Sequence, residues 1–387
     1  MNQVRYGVIG LGNMGSAYVE MFAAGQIRNG VLGAVSDRKP ERFAQVQAQF
    51  SVPPVCYTDY HEMLTGGQVD AVIIALPHYL HPVIAQEAFA AGVHVLTEKP
   101  AGVYTKAVRE MNKAAAESGL QFGIMFNQRM RPIYRKTHEL VQSGAIGAIK
   151  RSIWVVTDWY RTQAYYDSGS WRTTWKGEGG GVLLNQCPHN LDLWQWIVGM
   201  PTRISAECYV GKYHHIEVED DVVIHTEYAN GATGTFITTT GECPGTNRLE
   251  ISGDRGKITV EKNTIQLIQL HESERVHCFS SPDPFSVPLY SVTDFTFPET
   301  ERSHEDLLQN FTDSLLTHTK PEVPGEVGIA SLTISNGAYF SAWQGGIWLD
   351  LPFDEDRYYE MLQDKIAHST FQKTVREARF STKGTYG

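Results

Sequence analysis

The stretch that decides the fold is Val4-Arg5-Tyr6-Gly7-Val8-Ile9-Gly10-Leu11-Gly12-Asn13-Met14-Gly15, with Ser36-Asp37 at the end of the next β-rich run. A β-rich run, Val4–Ile9, enters three glycines in G-x-G-x-x-G spacing, and a helical pattern, Met14–Ala24, leaves them. Three glycines alone are a weak signal, but between a strand and a helix each has its own task. The first permits a tight turn, the second lets a pyrophosphate approach the backbone, and the third lets the helix pack closely on the strand. The helix N-terminus then offers unpaired N–H groups and a positive dipole end to phosphate. An acidic residue at the position of Asp37 accepts hydrogen bonds from the adenosine ribose hydroxyls and repels a 2′-phosphate. The expected cofactor is therefore NAD, bound by Gly10, Gly12, Asn13, Met14, Gly15 and Asp37. Arg38, beside Asp37, keeps NADP as the less favoured alternative.

Outward from this motif the same rhythm continues. Strands are expected at Val31–Ser36, Ala71–Ala75, His94–Leu96 and Phe122–Met125. Helical spacing marks Pro40–Gln49, Tyr60–Thr65, His81–Ala91 and Thr105–Glu117. Strand and helix in alternation imply parallel strands with right-handed crossovers, hence a doubly wound Rossmann sheet. The first domain is set at residues 1–127. Beyond it, at residues 128–387, a helix (Pro132–Ser143) and a β-rich run (Ile149–Thr157) precede an aromatic and Gly-rich loop from Trp159 to Gly181. A helix at Pro188–Val198 follows. From Ile204 to Val260 strands come in succession, with a hairpin at Ala229-Asn230-Gly231 and a tight turn at Gly253–Gly256. This second domain reads as α+β with a large, mostly antiparallel, open sheet. Cys278–Pro298 reads as irregular, and Glu305–Leu316, Gly328–Gln344 and Asp354–Ser369 as helices.

Composition narrows the function classes. The chain has 387 residues, enough for two cores, and its 33 basic against 43 acidic residues give a net charge of -10. That balance argues against nucleic acid and anionic membrane surfaces as partners. The five cysteines are dispersed, so neither a disulfide framework nor a thiolate metal site is expected, and a cytoplasmic protein is.

Two clusters carry chemistry. Glu98-Lys99-Pro100 follows the strand at His94, which puts Lys99 near the carboxyl edge of the parallel sheet, where such folds bind ligands. In the second domain, Gly179-Gly180-Gly181 leads through Asn185 to Pro188-His189 and Asp192. If this segment is helical, Asn185, His189 and Asp192 share one face. In these motifs the chain resembles the Gfo/Idh/MocA oxidoreductase family over nearly its whole length, including Val218-Glu219-Asp220 ahead of the Asn230-Gly231 hairpin. The resemblance implies that Lys99 binds the reacting oxygen and couples to proton transfer, that His189 accepts the proton, and that Asp192 binds substrate hydroxyls. Asn185 stands where many dehydrogenases of the family carry Asp, and an amide orients a neighbour but takes no proton. The chemistry agrees with the residue types. An alcohol gives up hydride as its proton leaves, so a base of near-neutral pKa is wanted, and a developing alkoxide needs a cationic partner.

Further candidates follow position in the fold. Pro77, His78 and His81, after the strand at Ala71, lie along the expected cofactor, as does Glu98; no carboxylate or Cys completes a metal site with the two histidines, and no metal is expected. Asn127 and Arg129 follow the strand at Phe122 and face cofactor or substrate. Trp171, Arg172 and Trp175 suit a carbohydrate, with flat rings against C–H surfaces and the cation on hydroxyls or an anionic group. The reading is an NAD(H)-dependent oxidation of a secondary alcohol on a sugar, glycoside or cyclitol. Two alternatives stay open: a redox-neutral enzyme with tightly held NAD, and a non-enzymatic NAD- and sugar-binding regulator. A homo-oligomer, dimer or tetramer, is expected.

Overall fold

The structure is a computed structural model that describes residues 2–298, 303–373 and 375. Runs dense in β-branched and aliphatic residues form β1 (Val4–Ile9), β2 (Gly30–Ser36), β3 (Val55–Tyr57), β4 (Ala71–Ile74), β5 (His94–Thr97) and β6 (Phe122–Ile124). They pair in parallel in the order β3-β2-β1-β4-β5-β6. β4 is buried along its whole length, as a strand covered by helices on both faces must be. The strand order reverses between β1 and β4, which opens a crevice at their carboxyl ends. Gly92 and Gly119 take the left-handed conformation that ends their helices, with φ of 78° and 67°.

A second sheet holds β7 (Ile149–Val156), β8 (Arg203–Val210), β9 (Glu219–Glu227), β10 (Thr233–Thr239), β11 (Asn247–Gly253), β12 (Gly256–Glu261), β13 (Thr264–Leu270), β14 (Tyr290–Thr296) and β15 (Leu349–Asp350). Its order is β14-β13-β12-β11-β7-β10-β9-β8-β15. Every pair is antiparallel except β7 with β10, which run in parallel and are joined through two helices and the strands β8 and β9. The helix Gly328–Ala342 is buried on nearly every side and ties the two sheets together. Its Asn336 accepts from the Thr105 N–H at 3.1 Å and donates to the Val103 carbonyl at 3.0 Å.

Three expectations need correction. Val55–Tyr57 is a strand, too short and too exposed to register as a periodic run. Tyr290–Thr296 is a strand on the edge of the second sheet, and Glu274–Ser280 is a helix, where an irregular segment was expected. An edge strand buries little, so it lacks the apolar alternation that marks its partners. The helix carrying His189 begins at Pro188, so Asn185 lies in the turns ahead of it rather than on its face. Among the described residues no helix is long and apolar enough to cross a membrane.

The helix Ser303–Thr317 returns to the first sheet. Tyr6 and Thr312 share a 2.8 Å buried hydrogen bond, and Phe311, 1% exposed, fills the space that Gly123 leaves open on β6. Phe311→Ala should therefore cost about 3–5 kcal/mol of stability, the usual cost of deleting a buried phenyl group. An unchanged urea midpoint would show that this packing is not part of the core.

Candidate active site

The three glycines of the first motif behave as three different residues. Gly10 has φ +94°, and a side chain there would meet the Ala75 carbonyl oxygen at 2.5 Å. A Cβ on Gly15 would stand 1.8 Å from the Gly10 carbonyl oxygen, so the helix could not close on the strand. A Cβ on Gly12 would meet nothing within 4 Å. Gly12 caps the helix Asn13–Ala23, whose N-terminus has no side-chain cap and no acid in its first turn. That end carries no side-chain cap, which suits a helix N-terminus that takes a pyrophosphate. Asn13 and Met14 form its first turn.

Asp37 closes the cradle from β2. Its carboxylate accepts from the Leu11 N–H at 2.7 Å, the Lys39 N–H at 2.9 Å and the Arg42 guanidinium at 2.8 Å. Burial alone would raise its pKa, but these donors outweigh burial and hold it below the ordinary carboxylate value. The cation on Asp37 is thus Arg42, one helical turn further on, while Arg38 is exposed.

Lys99 leaves the end of β5 toward the second domain, where its Nζ donates to the Asn185 carbonyl at 2.9 Å. Glu98 turns the other way, accepting from the Tyr18 hydroxyl and, at 3.0 Å, from the Lys99 N–H. His81 supports this turn from below, its two ring nitrogens 2.7 Å from the carbonyl oxygens of Pro100 and Leu76. His78 reaches across the cleft, its Nδ1 donating to the Glu178 carbonyl at 3.0 Å, with its ring against the edge of Trp171. Burial lowers the pKa of both histidines, while the carbonyls they face favour the protonated ring. Pro77 opens the turn that precedes them.

The glycines of the second motif are equally specific. Glu219, fully buried on β9, accepts from the N–H groups of Gly181 and Leu183 at 2.9 and 3.0 Å and from the Tyr339 hydroxyl at 2.7 Å. A Cβ on Gly181 would lie 2.0 Å from the Glu219 carbonyl oxygen. So anchored, the turns carry Asn185 to Lys99. The Asn185 amide donates to Glu178, which is 2% exposed and also accepts from the Thr173 N–H at 2.7 Å. Tyr165 stands over this group: it receives hydrogen bonds from Arg172 at 2.8 Å and Gln186 at 3.1 Å and donates to the Asn185 side-chain Oδ1 at 3.5 Å.

His189, 8% exposed, is the second residue of its helix, with its ring edge-on to Phe126, and its Nδ1 is buried without a hydrogen-bond partner. Such an atom is costly unless a ligand completes it. Burial, then the charge of Lys99 and His304, hold His189 well below the ordinary histidine pKa. Burial lowers Lys99 as well. Asn127 extends its amide to Ser303 at 2.7 Å and to His304 at 3.0 Å and leaves its buried oxygen unpartnered.

Not every expected residue reaches the centre. Asp192 and Arg129 form a buried bidentate ion pair, at 2.6 and 2.7 Å, one turn beyond His189 on the same helix. Trp175 is 4% exposed and packs edge-on against Tyr339 and Trp343. Trp171 and Arg172 are adjacent to the cleft through His78 and Tyr165. Four residues escaped the sequence reading: Tyr165, Glu178, Arg42 and His304. The first two lie in a loop whose Gly-rich pattern fixed no side-chain direction, and His304 arrives from a helix remote in sequence. Among the described residues no cluster of His, Cys, Asp and Glu could hold a metal ion.

Cradle, acidic strand end and enclosed Lys–Asn–His group define a two-domain, dinucleotide-binding oxidoreductase. Residues 4–126 match the family model described as "Oxidoreductase family, NAD-binding Rossmann fold", and residues 134–259 match the "GFO/IDH/MocA C-terminal domain". The chain belongs to the Gfo/Idh/MocA family of NAD-binding oxidoreductases. Myo-inositol 2-dehydrogenase of Thermotoga maritima is 24% identical over 87% of this chain and 95% of its own length. Levoglucosan dehydrogenase of Pseudarthrobacter phenanthrenivorans is 26% identical over 67% of this chain and 73% of its own. Among solved structures, the WlbA dehydrogenase of Bordetella pertussis, in complex with NADH and UDP-GlcNAcA, is similar with a TM-score of 0.75 and 26% identity, covering 91% of this chain and all of its own.

The cradle geometry separates two neighbouring substitutions. Gly12→Ala should leave the melting temperature unchanged and weaken NAD binding at least tenfold in calorimetry. Gly15→Ala should lower the melting temperature, because about 1–3 kcal/mol is the usual cost of forcing a methyl group into a filled space. Equal melting losses in both would contradict the assignment. His304, lowered to about 4 by burial and then by Lys99, should titrate near that value by NMR rather than at 6.5.

Proposed function

We propose that the chain oxidises a secondary alcohol of a sugar, glycoside or cyclitol to the ketone, with Lys99 on the reacting oxygen and His189 as proton acceptor. The observation that carries this reading is the meeting of Lys99 Nζ with the Asn185 turn beside a buried His189 that has an uncompleted ring nitrogen. The relatives named inositol and levoglucosan dehydrogenases support the substrate class.

The residues that fit NAD are Gly10, Gly12, Asn13, Met14, Gly15 and Asp37 at the adenosine and phosphate end. Asn127, with its free oxygen, fits the nicotinamide end, and Pro77, His78, His81 and Glu98 shape the wall between. When bound, the cofactor supplies a hydride acceptor. Lys99 donates a hydrogen bond to the carbinol oxygen and stabilises the negative charge that grows there as the proton leaves. His189 takes that proton; it must be neutral to do so, and its lowered pKa keeps it neutral at physiological pH. The Asn185 amide, held by Glu178, orients the substrate rather than relaying a proton. Arg172 and Trp171 line the entrance, and the Asp192–Arg129 pair holds the His189 helix in place. A second copy of the chain is part of the proposal: Phe279, Phe285, Val287 and Leu289 form an exposed apolar stretch leading into edge strand β14, and light scattering should give at least twice the mass of one chain.

Absorbance at the NADH band should rise when enzyme and NAD meet the correct member of a panel of sugars, glycosides and inositols. Lys99→Ala and His189→Ala should each lower kcat/KM about 100-fold or more, the usual effect of losing an acid–base group. No rise with any compound, despite saturable NAD binding, would refute net oxidation and favour the redox-neutral or regulatory alternative. Because His189 is shifted down, the acid limb of the kcat/KM profile should lie below pH 6.5; a limb at or above 6.5 would contradict its environment.

A further inference from the structure

Arg161 has no place in the scheme above, yet it sits at the same entrance. Its Nη1 donates to the Tyr160 and Trp159 carbonyls of its own loop, at 2.9 and 3.5 Å, while its Nε is buried with no hydrogen-bond partner. Its guanidinium carbon lies 5.3 Å from the centre of the Tyr165 ring. The Arg172 guanidinium lies 4.7 Å from the centre of the same ring. Two like charges thus share one aromatic side chain, whose hydroxyl donates to Asn185 beside Lys99.

Of the two, Arg172 has a carboxylate within ion-pair distance and Arg161 has none among the described residues. Glu178 stands 3.8 Å from Arg172, and its oxygens are occupied by Asn185 and the Thr173 N–H. Glu98 is turned away onto Tyr18. Asp158 is close enough to feel the charge of Arg161 but makes no ion pair with it among the described residues. Lys373 adds another cation from the far end of the chain, its Nζ bonded only to backbone carbonyls of Ser168 and Arg172, at 3.3 and 3.2 Å. Both guanidinium groups also act on Lys99, whose ammonium burial already disfavours. A guanidinium with a free donor and no ion pair among the described residues, set beside a second guanidinium on one ring, is built for a planar oxyanion.

We propose that the substrate is an anionic sugar, whose carboxylate or phosphate group is held by Arg161 and Arg172 over the Tyr165 ring while its carbinol lies at Lys99 and His189. This rests on the oxidation proposed above and narrows its substrate from polyhydroxy compounds in general to their acids. The aromatic ring orients both forks, so the anion sets which carbon reaches Lys99.

The test compares matched compounds with NAD: glucuronate, galacturonate and gluconate for the carboxylate, glucose 6-phosphate for the phosphate, and glucose, galactose and myo-inositol as neutral partners. The expected result is kcat/KM at least 30-fold higher for an anionic member, with a KM that rises with ionic strength. Arg161→Gln should reduce that preference at least tenfold, mainly through KM, and Arg161→Lys should restore part of it. Preference for carboxylate over phosphate, or the reverse, identifies the source of the anion. Turnover of neutral sugars as good as that of their acids, or an equal effect of Arg161→Gln on both, would overturn the inference and leave the oxidation intact. If nothing is oxidised, the oxidation reading fails, and calorimetry with the same acids decides this one: binding by the NAD-loaded protein that Arg161→Gln abolishes supports it, and no binding by either protein overturns it.

Discussion

One buried carboxylate, that of Glu219, sets the geometry on which the site depends. It takes two N–H groups from the glycine turn and a hydroxyl from the helix Gly328–Ala342, so three separate segments meet on one side chain. Burial pushes its pKa up to about 7 even though these donors favour the ionised form. The turn it anchors must pass so close to β9 that only glycine fits at position 181. That closeness brings the Asn185 carbonyl within 2.9 Å of Lys99, which comes from the other sheet. The group around Lys99 therefore belongs to neither sheet alone.

The same junction controls charge. His78, His81, His189 and His304 are all buried near Lys99, and burial holds every one below its ordinary pKa. Neutral imidazoles can surround an ammonium without adding to its repulsion, and one of them keeps a ring nitrogen open for a proton. Two acids lie in reach, Glu98 and Glu178, and burial raises both, while each is held by hydrogen bonds that point its charge away from the space above Lys99.

Most of the first sheet was legible in the sequence because its central strands are short, largely buried and punctuated by glycine. Val4–Ile9 and the turn from Gly10 to Gly15 carry their packing in their spacing, and the structure gives each glycine a distinct steric reason. β3 and β14 were not legible, since an exposed strand owes its form to a neighbour rather than to its own pattern. In the site, Lys99 and His189 stood out by position in their motifs. Asn185 would share the face of His189 only if the helix ran back to it, and the Gly-rich run forms turns there instead. Glu178, Tyr165, Arg161 and His304 could not be placed, because their roles come from contacts between segments far apart in the chain. Asp192 and Arg129 illustrate the converse: two residues each assigned to a ligand find one another instead.

Following the hydrogen itself tests the account most directly. The sugar that turns over fastest would be prepared with deuterium on its reacting carbinol carbon, and the NADH formed would be analysed by mass spectrometry. The account predicts one deuterium per NADH, on the nicotinamide ring, and a rate slowed by the heavier isotope under single-turnover conditions. Deuterium retained in the sugar product, or lost to water with none on the nicotinamide, would contradict hydride transfer at the Lys99–His189 site.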